Sequence, residues 1–201
     1  NTVWWFSKTD YPKADVTNVL TPYSERMKAL LRNPDKFYQP KERPSGHDIS
    51  KGFGKDNNGA IPPNLLQISN TESTSHYLRT CKNLDKPAHP ARFPQALPDF
   101  FIRFLTEPND IVLDIFSGSN TTGYTAELLG RRWVSIEIDK AYAILSAVRF
   151  MEGWDLDHIK ETLIEIEKNN APIVDRLVND QPLNKIKSSS VKLEDFCLSQ
   201  E

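Results

Sequence analysis

The chain has 201 residues, of which 38% are hydrophobic and 26% charged, with a formal net charge of −2 and a mean hydropathy of −0.52. This length allows one domain with its own core, and the lack of any apolar run near the roughly 20 residues of a membrane span predicts a protein without membrane association. Cys81 and Cys197 lack metal-ligand spacing, so we assign no metal site and no disulfide framework, and we expect a reducing cytoplasmic location.

The charges are unevenly divided along the chain. Residues 1–103 hold 15 lysines and arginines against 10 acidic residues, whereas residues 104–201 hold 10 against 17. The basic part could face a polyanion while the acidic part faces solvent. A chance imbalance on solvated loops is the alternative.

A strand and a short helix are predicted near the N-terminus. Residues 3–7 (Val-Trp-Trp-Phe-Ser) are rich in aromatic residues and precede a turn, which is typical of a buried strand. Residues 21–24 (Thr-Pro-Tyr-Ser) open a helix that we expect to reach Leu31, because proline is tolerated in a first turn. The sequence opens on a hydrophobic run without Met or a charged leader, so we expect no secretory signal and a piece of a longer protein.

Residues 33–75 have no clear periodicity and are dense in Pro, Gly, Asn, Ser and Lys. They also carry apolar residues such as Phe37, Phe53 and Leu65, which are too numerous for a simple linker. A structureless segment of this length is usually functional or disordered. We interpret it as an irregular recognition region.

The next segments predict a helix, a strand, a loop and a second helix. Apolar residues at 97, 100, 101, 104 and 105 fall on one face of a helix. The apolar run 111–113 then ends in Asp114 and passes through a turn of small residues into another helix. This order is typical of nucleotide-binding α/β domains, whose ligands bind at the carboxyl ends of parallel strands.

A second apolar run, residues 133–136, ends in Glu137, 23 residues after the end of the first strand. In such folds an acidic residue at about this distance binds ribose hydroxyls. Gly118 and Gly123 match the outer glycines of a dinucleotide-binding loop, but Asn120 takes the place of the middle glycine that lets the backbone approach a pyrophosphate. The pattern therefore favours a ligand with an adenosine and no pyrophosphate, and the alternative is an ordinary tight turn with a Thr-capped helix.

The C-terminal part is predicted to be helical before a polar tail. Helical spacing covers residues 142–150 and 156–167. From Gln181 onward the sequence is polar, and we expect a frayed end.

In combination, these segments resemble the bacterial amino-group DNA methyltransferases, particularly the cytosine-N(4) branch with a permuted motif order. The resemblance covers about residues 1–150 and rests on segments 3–9, 43–49 (Arg-Pro-Ser-Gly-His-Asp-Ile), 61–64 (Ile-Pro-Pro-Asn), 89–94 (His-Pro-Ala-Arg-Phe-Pro) and 114–122. It implies an α/β fold, the Rossmann-like S-adenosylmethionine-dependent methyltransferase fold, with a mostly parallel sheet and an irregular recognition insertion. The implied cofactor, S-adenosyl-L-methionine, has an adenosine but no pyrophosphate.

The resemblance also implies a cofactor site with two sides. Glu137 would hold the ribose hydroxyls, since a carboxylate can accept two neighbouring O–H groups. Arg92, Phe93 and Pro94 would close the opposite side, although a surface charge and a core aromatic are the alternatives for the first two. The methionine and sugar portions would be surrounded by Asp114, Phe116, Ser117, Gly118, Ser119, Asn120 and Thr121.

Enzymes of this kind flip the target base out of double-stranded DNA and hold it against aromatic faces. Trp4 or Trp5 would supply such a face, but side chains alternate along a strand, so at least one of them should pack in the core. Ser7 and Lys8 would touch the base or a phosphate, and a purely structural role for each is the alternative. In the recognition region, the candidates for phosphate contacts are Lys41, Arg43, Lys51 and Lys55, and those for base contacts are Asn57, Asn58, Asn64 and Gln67. Because asparagine is also a common turn residue, an ordinary turn is the alternative for the asparagines.

The catalytic signature of the resembled family is an acidic residue or serine followed by Pro-Pro-aromatic. Pro62 and Pro63 follow isoleucine and precede Asn64, so they cannot orient a target amine. In the permuted order the signature lies upstream of Trp4. We therefore assign no catalytic residue here, expect an upstream catalytic segment or subunit, and expect weak or no activity from this chain alone.

Four regions are predicted: 1–32, the end of the catalytic side; 33–75, target recognition; 76–150, cofactor binding; and 151–201, C-terminal helices and tail. The predicted function is site-specific DNA methylation within a restriction–modification system, with cytosine N(4) favoured over adenine N(6). The rivals are a non-catalytic DNA-binding specificity or scaffold subunit and a small-molecule or RNA methyltransferase.

Overall fold

The structure, a computed structural model, describes residues 2–37, 54–70, 74–168, 177–178 and 181–182. The chain divides into two compact units, one formed by Asn1–Gln67 with Arg103–Leu105 and the other by Ile68–Ile102 with Thr106–Glu201. The helices are α1 (Glu25–Arg32), α2 (Pro34–Phe37), α3 (His76–Asn83), α4 (Ala96–Leu105), α5 (Thr121–Leu128), α6 (Lys140–Ser146) and α7 (Leu156–Glu167). The strands are β1 (Ile111–Asp114), β2 (Arg132–Ser135), β3 (Leu177–Val178) and β4 (Gln181–Pro182).

The first unit contains the predicted N-terminal helix, but α1 begins at Glu25 and not within residues 21–24, so Pro22 lies outside its first turn. Ser24 caps α1 because its side chain accepts a hydrogen bond from the N–H of Met27. An isolated antiparallel bridge joins Thr21 to Ala60, with both N–H···O distances at 2.9 Å.

The buried strand predicted over residues 3–7 is wrong. The backbone there is irregular, and the side chains of Trp4 and Phe6 are 77% and 84% exposed. Aromatic composition favours a strand only where a neighbouring strand accepts its hydrogen bonds, and none does so among the described residues. Trp5 instead packs edge-to-face against Phe104, with ring centroids 5.6 Å apart.

The second unit contains both predicted sheet strands. β1 and β2 are parallel, with Ile111 opposite Arg132 and Asp114 opposite Ser135. Helix α5 connects them and packs against both. Because the strands run in the same direction, the loop after Asp114 and the segment after Ser135 leave the sheet at one edge, as the sequence predicted.

The core of this unit is helical. Its buried members are Tyr77 and Cys81 from α3, Leu145 from α6, Val148 from a 3₁₀ turn at Ala147–Phe150, Met151 directly after that turn, and Ile159 from α7.

The helix predicted over residues 142–150 begins earlier, at Lys140, and its last residues form the 3₁₀ turn. Helix α7 has the predicted bounds.

The helix predicted around residues 97–105 is also present, as α4, and its most buried residues are Pro98 and Ile102. The two short strands β3 and β4 pair antiparallel. Within the part of the chain that the structure describes, no helix combines the length and the apolar character needed to cross a membrane.

Candidate functional site

The loop between β1 and α5 is a tight turn fixed to the end of β2. The N–H of Asn120 donates to the carbonyl of Ser117 at 2.7 Å, and the N–H of Ser117 donates to the carbonyl of Ile136 at 3.0 Å. Gly118 and Asn120 both adopt left-handed backbone conformations, with φ of +52° and +57°. Glycine and asparagine are the residues that tolerate this conformation best, so these two positions shape the loop.

Asn120 caps α5, whereas the alternative of an ordinary tight turn predicted a threonine cap. Its side-chain oxygen accepts hydrogen bonds from the N–H of Gly123 at 3.1 Å and from the hydroxyl of Ser135 at 2.6 Å. Ser119, Asn120 and Thr121 are each no more than 3% exposed. These three residues, backbone and side chain together, therefore lie beneath the surface of the loop.

Gly123 lies where α5 packs tightly against β2. A Cβ atom at this position would lie 2.8 Å from Cε3 of Trp133 and 2.9 Å from Oγ of Ser135, and it would overlap the side-chain oxygen of Asn120. The third glycine of dinucleotide-binding loops has this same packing role. The position that the sequence matched to the outer glycine of such loops is therefore one where close packing requires glycine.

The carboxylate of Glu137 is held at the loop by two backbone hydrogen bonds. One oxygen accepts the N–H of Gly118 at 2.7 Å and the other accepts the N–H of Asp139 at 3.0 Å. These bonds, that of Asp139 first, together with the nearby charge of His89, hold the pKa of Glu137 below its ordinary value. The group is therefore ionised at neutral pH, and a carboxylate with about four lone-pair positions can accept further O–H donors.

Other predicted loop residues line the open side. The carboxylate of Asp114, at the end of β1, accepts the N–H of Phe116 at 3.1 Å. The ring of Phe116 is 86% exposed. Asp114, Phe116 and Glu137 thus share the edge of the sheet at which both strands end.

Segment 89–94 reaches the loop through His89, a residue of that segment that was not among the predicted site residues. A Cβ at Gly118 would lie 3.0–3.3 Å from the imidazole atoms of His89, so the ring lies directly against this glycine. Nδ1 of His89 lies 2.9 Å from the carbonyl of Ala91, and its ring packs edge-to-face on Tyr142 with centroids 4.6 Å apart. The position of His89 could have been found only from its place in the His-Pro-Ala-Arg-Phe-Pro segment.

The neighbouring residues of the segment are arranged around a small pocket. The guanidinium of Arg92 donates to the carbonyl of His89. A cavity of about 120 Å³ is lined by Asn70, Pro90, Arg92 and Phe93. The carbonyl of Pro94 accepts the N–H of Leu97 at the start of α4.

The described residues that are predicted to contact DNA belong to the first unit. The hydroxyl of Ser7 is engaged in its own turn, since it donates to the carbonyl of Thr9 at 2.6 Å and accepts the N–H of Thr9 at 3.1 Å. The N–H of Asn57 donates to the hydroxyl of Tyr23 at 2.7 Å. Lys8, Lys55, Asn57 and Asn64 are exposed, whereas Lys41, Arg43 and Lys51 lie outside the described residues.

Two residues behind the loop, Tyr77 and Arg149, were not predicted at all. Arg149 falls within a segment of helical spacing, where an arginine is ordinarily a solvated residue.

Among the described residues, no group of three or more His, Cys, Asp or Glu side chains is placed to hold a metal ion.

Comparisons with known proteins agree on one class. A family model described as DNA methylase matches residues 1–148. The chain is 63% identical over 153 residues to the type II methyltransferase M.PvuII of Proteus hauseri, a match covering 76% of this chain and 46% of that protein. It is 39% identical over 67 residues to the type II methyltransferase M.HinfI of Haemophilus influenzae, which covers 33% of this chain and 19% of that protein.

A solved structure is also similar. The PvuII DNA methyltransferase, described as cytosine-N4-specific, matches with a TM-score of 0.59 and 42% identity, covering 82% of this chain and 45% of that one. The chain thus spans less than half the length of these relatives.

Proposed function

The chain belongs to the DNA methylase family, and on that premise we propose that it forms the S-adenosyl-L-methionine-binding part of a site-specific DNA methyltransferase. Its fold is the Rossmann-like methyltransferase fold of the solved relative. The favoured acceptor is the exocyclic N(4) amino group of cytosine, and the favoured setting is a restriction–modification system in the cytoplasm. The cytosine-N4 specificity of the solved relative and the type II class of M.PvuII support these choices.

The carboxylate of Glu137 carries this proposal. It lies at the shared edge of β1 and β2, ionised and fixed by the N–H groups of Gly118 and Asp139. A carboxylate in this position fits two adjacent ribose hydroxyls, and the exposed ring of Phe116 offers an apolar face beside it. When bound, the cofactor supplies a methyl group activated by its sulfonium sulfur.

The chain's own residues orient this ligand. We assign Ser119, Asn120 and Thr121, which are almost fully buried, to fixing the path of the loop on which the ligand would lie. His89 closes the loop from the side of segment 89–94. We assign the proton and base chemistry of the target amine to an upstream catalytic segment or subunit, since the chain has no acid- or serine-led Pro-Pro-aromatic sequence.

The test is a methyl-transfer assay with tritiated S-adenosyl-L-methionine and a duplex carrying the recognition sequence of M.PvuII. We expect this chain to bind the cofactor in calorimetric titration but to transfer little label alone. Co-expression with the part of M.PvuII that it does not match should restore labelling of duplex DNA at cytosine N(4). A folded chain that binds no cofactor would overturn the proposal.

One observation favours a second candidate, a DNA-binding specificity or scaffold subunit without activity. The chain lacks the catalytic signature, although Asp114 and Glu137 are both in place. DNA binding without cofactor binding would identify this alternative. Label on adenine N(6) would correct the acceptor, and label on RNA but not on duplex DNA would identify an RNA methyltransferase.

We further propose that Trp4 supplies the aromatic face for a flipped base. Trp5 already packs against Phe104 and is 52% exposed, whereas Trp4 is 77% exposed. The Trp4→Ala variant is therefore expected to lose about 1–3 kcal/mol of DNA-binding free energy, because stacking of one base contributes that amount. The DNA is a duplex that carries the recognition sequence of M.PvuII with its target cytosine mismatched. Fluorescence anisotropy on the co-expressed complex measures this difference.

Trp5→Ala is the matched control for that variant. It should lower the stability of the first unit and change the affinity for the mismatched duplex much less. Equal losses of DNA affinity in the two variants would count against the stacking role of Trp4.

A further inference from the structure

Arg149 is buried directly behind the loop that joins β1 to α5. Arg149 is only 7% exposed. Nε donates to the carbonyl of Ser119 at 2.5 Å, and Nη2 donates to the hydroxyls of Ser119 and Thr121 at 2.9 and 3.1 Å. One planar guanidinium thus binds three oxygens of two loop residues, a geometry for which arginine is suited and lysine is not.

Tyr77 connects this arginine to the other side of the site. Cζ of Arg149 lies 4.7 Å from the centroid of the Tyr77 ring, which is 1% exposed. The Tyr77 hydroxyl accepts the N–H of His89 at 3.1 Å, and the His89 ring lies against Gly118. Burial raises the pKa of Tyr77 to about 12, so the phenol stays protonated over the working pH range.

The loop needs support of this kind. A left-handed conformation costs Asn120 free energy, as it does any residue with a Cβ, and Gly118 is free to adopt many other conformations, so contacts around the loop must select this path. The hydrogen bond from Gly118 to Glu137 depends on the resulting path of the backbone. A displacement of Ser119 would therefore move the Gly118 N–H relative to the carboxylate that we assign to the ribose.

We infer that Arg149 and Tyr77 are positioning residues that fix the loop at Ser119–Thr121 and join it to segment 89–94, which presets the site for the cofactor. The inference rests on the proposed function for its ligand. Arg149 lies one residue beyond the end of the DNA methylase family match at residue 148, whereas Tyr77 lies within it.

The test compares Arg149→Lys and Tyr77→Phe with a matched control, Arg131→Lys. Arg131 donates to the hydroxyl and carbonyl of Thr106 at 3.0 and 2.8 Å and to the carbonyl of Leu129 at 2.6 Å, at the opposite edge of the sheet. It is thus a partly buried arginine with a similar set of neutral acceptors. Cofactor affinity is measured by calorimetry on the folded fraction, which circular dichroism determines.

We expect Arg149→Lys to weaken binding of S-adenosyl-L-methionine about tenfold or more, because a lysine cannot satisfy all three acceptors. Tyr77→Phe, which keeps the ring but removes the acceptor of the His89 N–H, should weaken it about threefold to tenfold. Arg131→Lys should change stability while leaving affinity within about twofold.

A second readout needs no ligand. The amide proton of Gly118, which donates to a carboxylate at 2.7 Å, should have a distinctive NMR resonance in the ¹⁵N-labelled protein. We expect Arg149→Lys and Tyr77→Phe to shift it and Arg131→Lys to leave it in place. If neither variant shifts this resonance or changes affinity while the wild type binds cofactor, the inference is overturned and the proposed function stands. If the wild type is folded and binds no cofactor, the proposed function fails, and the Gly118 resonance alone decides whether Arg149 positions the loop.

Discussion

Replacing Gly123 with alanine is expected to lower the free energy of unfolding by about 3 kcal/mol, the upper part of the range for overpacked interiors. The added Cβ would meet Trp133 at 2.8 Å and Ser135 at 2.9 Å, and it would overlap the side chain of Asn120. Alanine gains about 1 kcal/mol of helix propensity over glycine, but this does not offset a clash with a strand on one side and a helix cap on the other. Urea unfolding monitored by circular dichroism measures the change.

Gly130→Ala is the control for the Gly123 variant. Gly130 has φ of +70°, and a Cβ there would have no atom within 4 Å. Its replacement by alanine should therefore lower the free energy of unfolding by only about 1 kcal/mol, the cost of placing an alanine in the left-handed conformation. A Gly123→Ala variant that is no less stable than Gly130→Ala would contradict the close approach of α5 to β2.

Replacing Glu137 with alanine is expected to weaken binding of S-adenosyl-L-methionine by about 1–3 kcal/mol, the contribution of lost hydrogen bonds to a charged group. The variant also removes the acceptor of the Gly118 N–H, so the loop itself should loosen. Glu137→Gln, which keeps the shape but not the charge, should fall between the wild type and Glu137→Ala. Calorimetric titration of the three folded proteins measures the series.

Glu127→Ala supplies the control for this series. The Glu127 side chain accepts the indole N–H of Trp133 at 2.8 Å near the end of α5, away from the loop. It should leave cofactor affinity unchanged. Equal affinity of Glu137→Ala and wild type would remove the ribose assignment.

The same carboxylate predicts the dependence of binding on pH. Backbone hydrogen bonds, that of Asp139 first, lower the pKa of Glu137 from its ordinary value of 4.5. The carboxylate therefore stays ionised at neutral pH and at mildly acidic pH. Its contribution to affinity should therefore be constant above about pH 5 and should be lost as the pH falls through the lowered pKa. Glu137→Gln should show no such loss over the range in which the protein remains folded.

Local patterns in the sequence determined most of the described elements. Helical spacing placed α4 and α7, and short apolar runs placed β1 and β2, because these periodicities are properties of the chain itself. The strand predicted over residues 3–7 was wrong because a strand depends on a neighbour that local composition does not specify.

The sequence by itself also determined where the candidate site lies. A strand ending in Asp114, a crossover helix and a strand followed by Glu137 must bring both acids to one edge of a parallel sheet. The tertiary structure alone decided how the side chains are arranged there. It turned the side chain of Asn120 inward as a helix cap and placed Arg149 behind the loop, because burial arises from packing between segments that are distant in sequence.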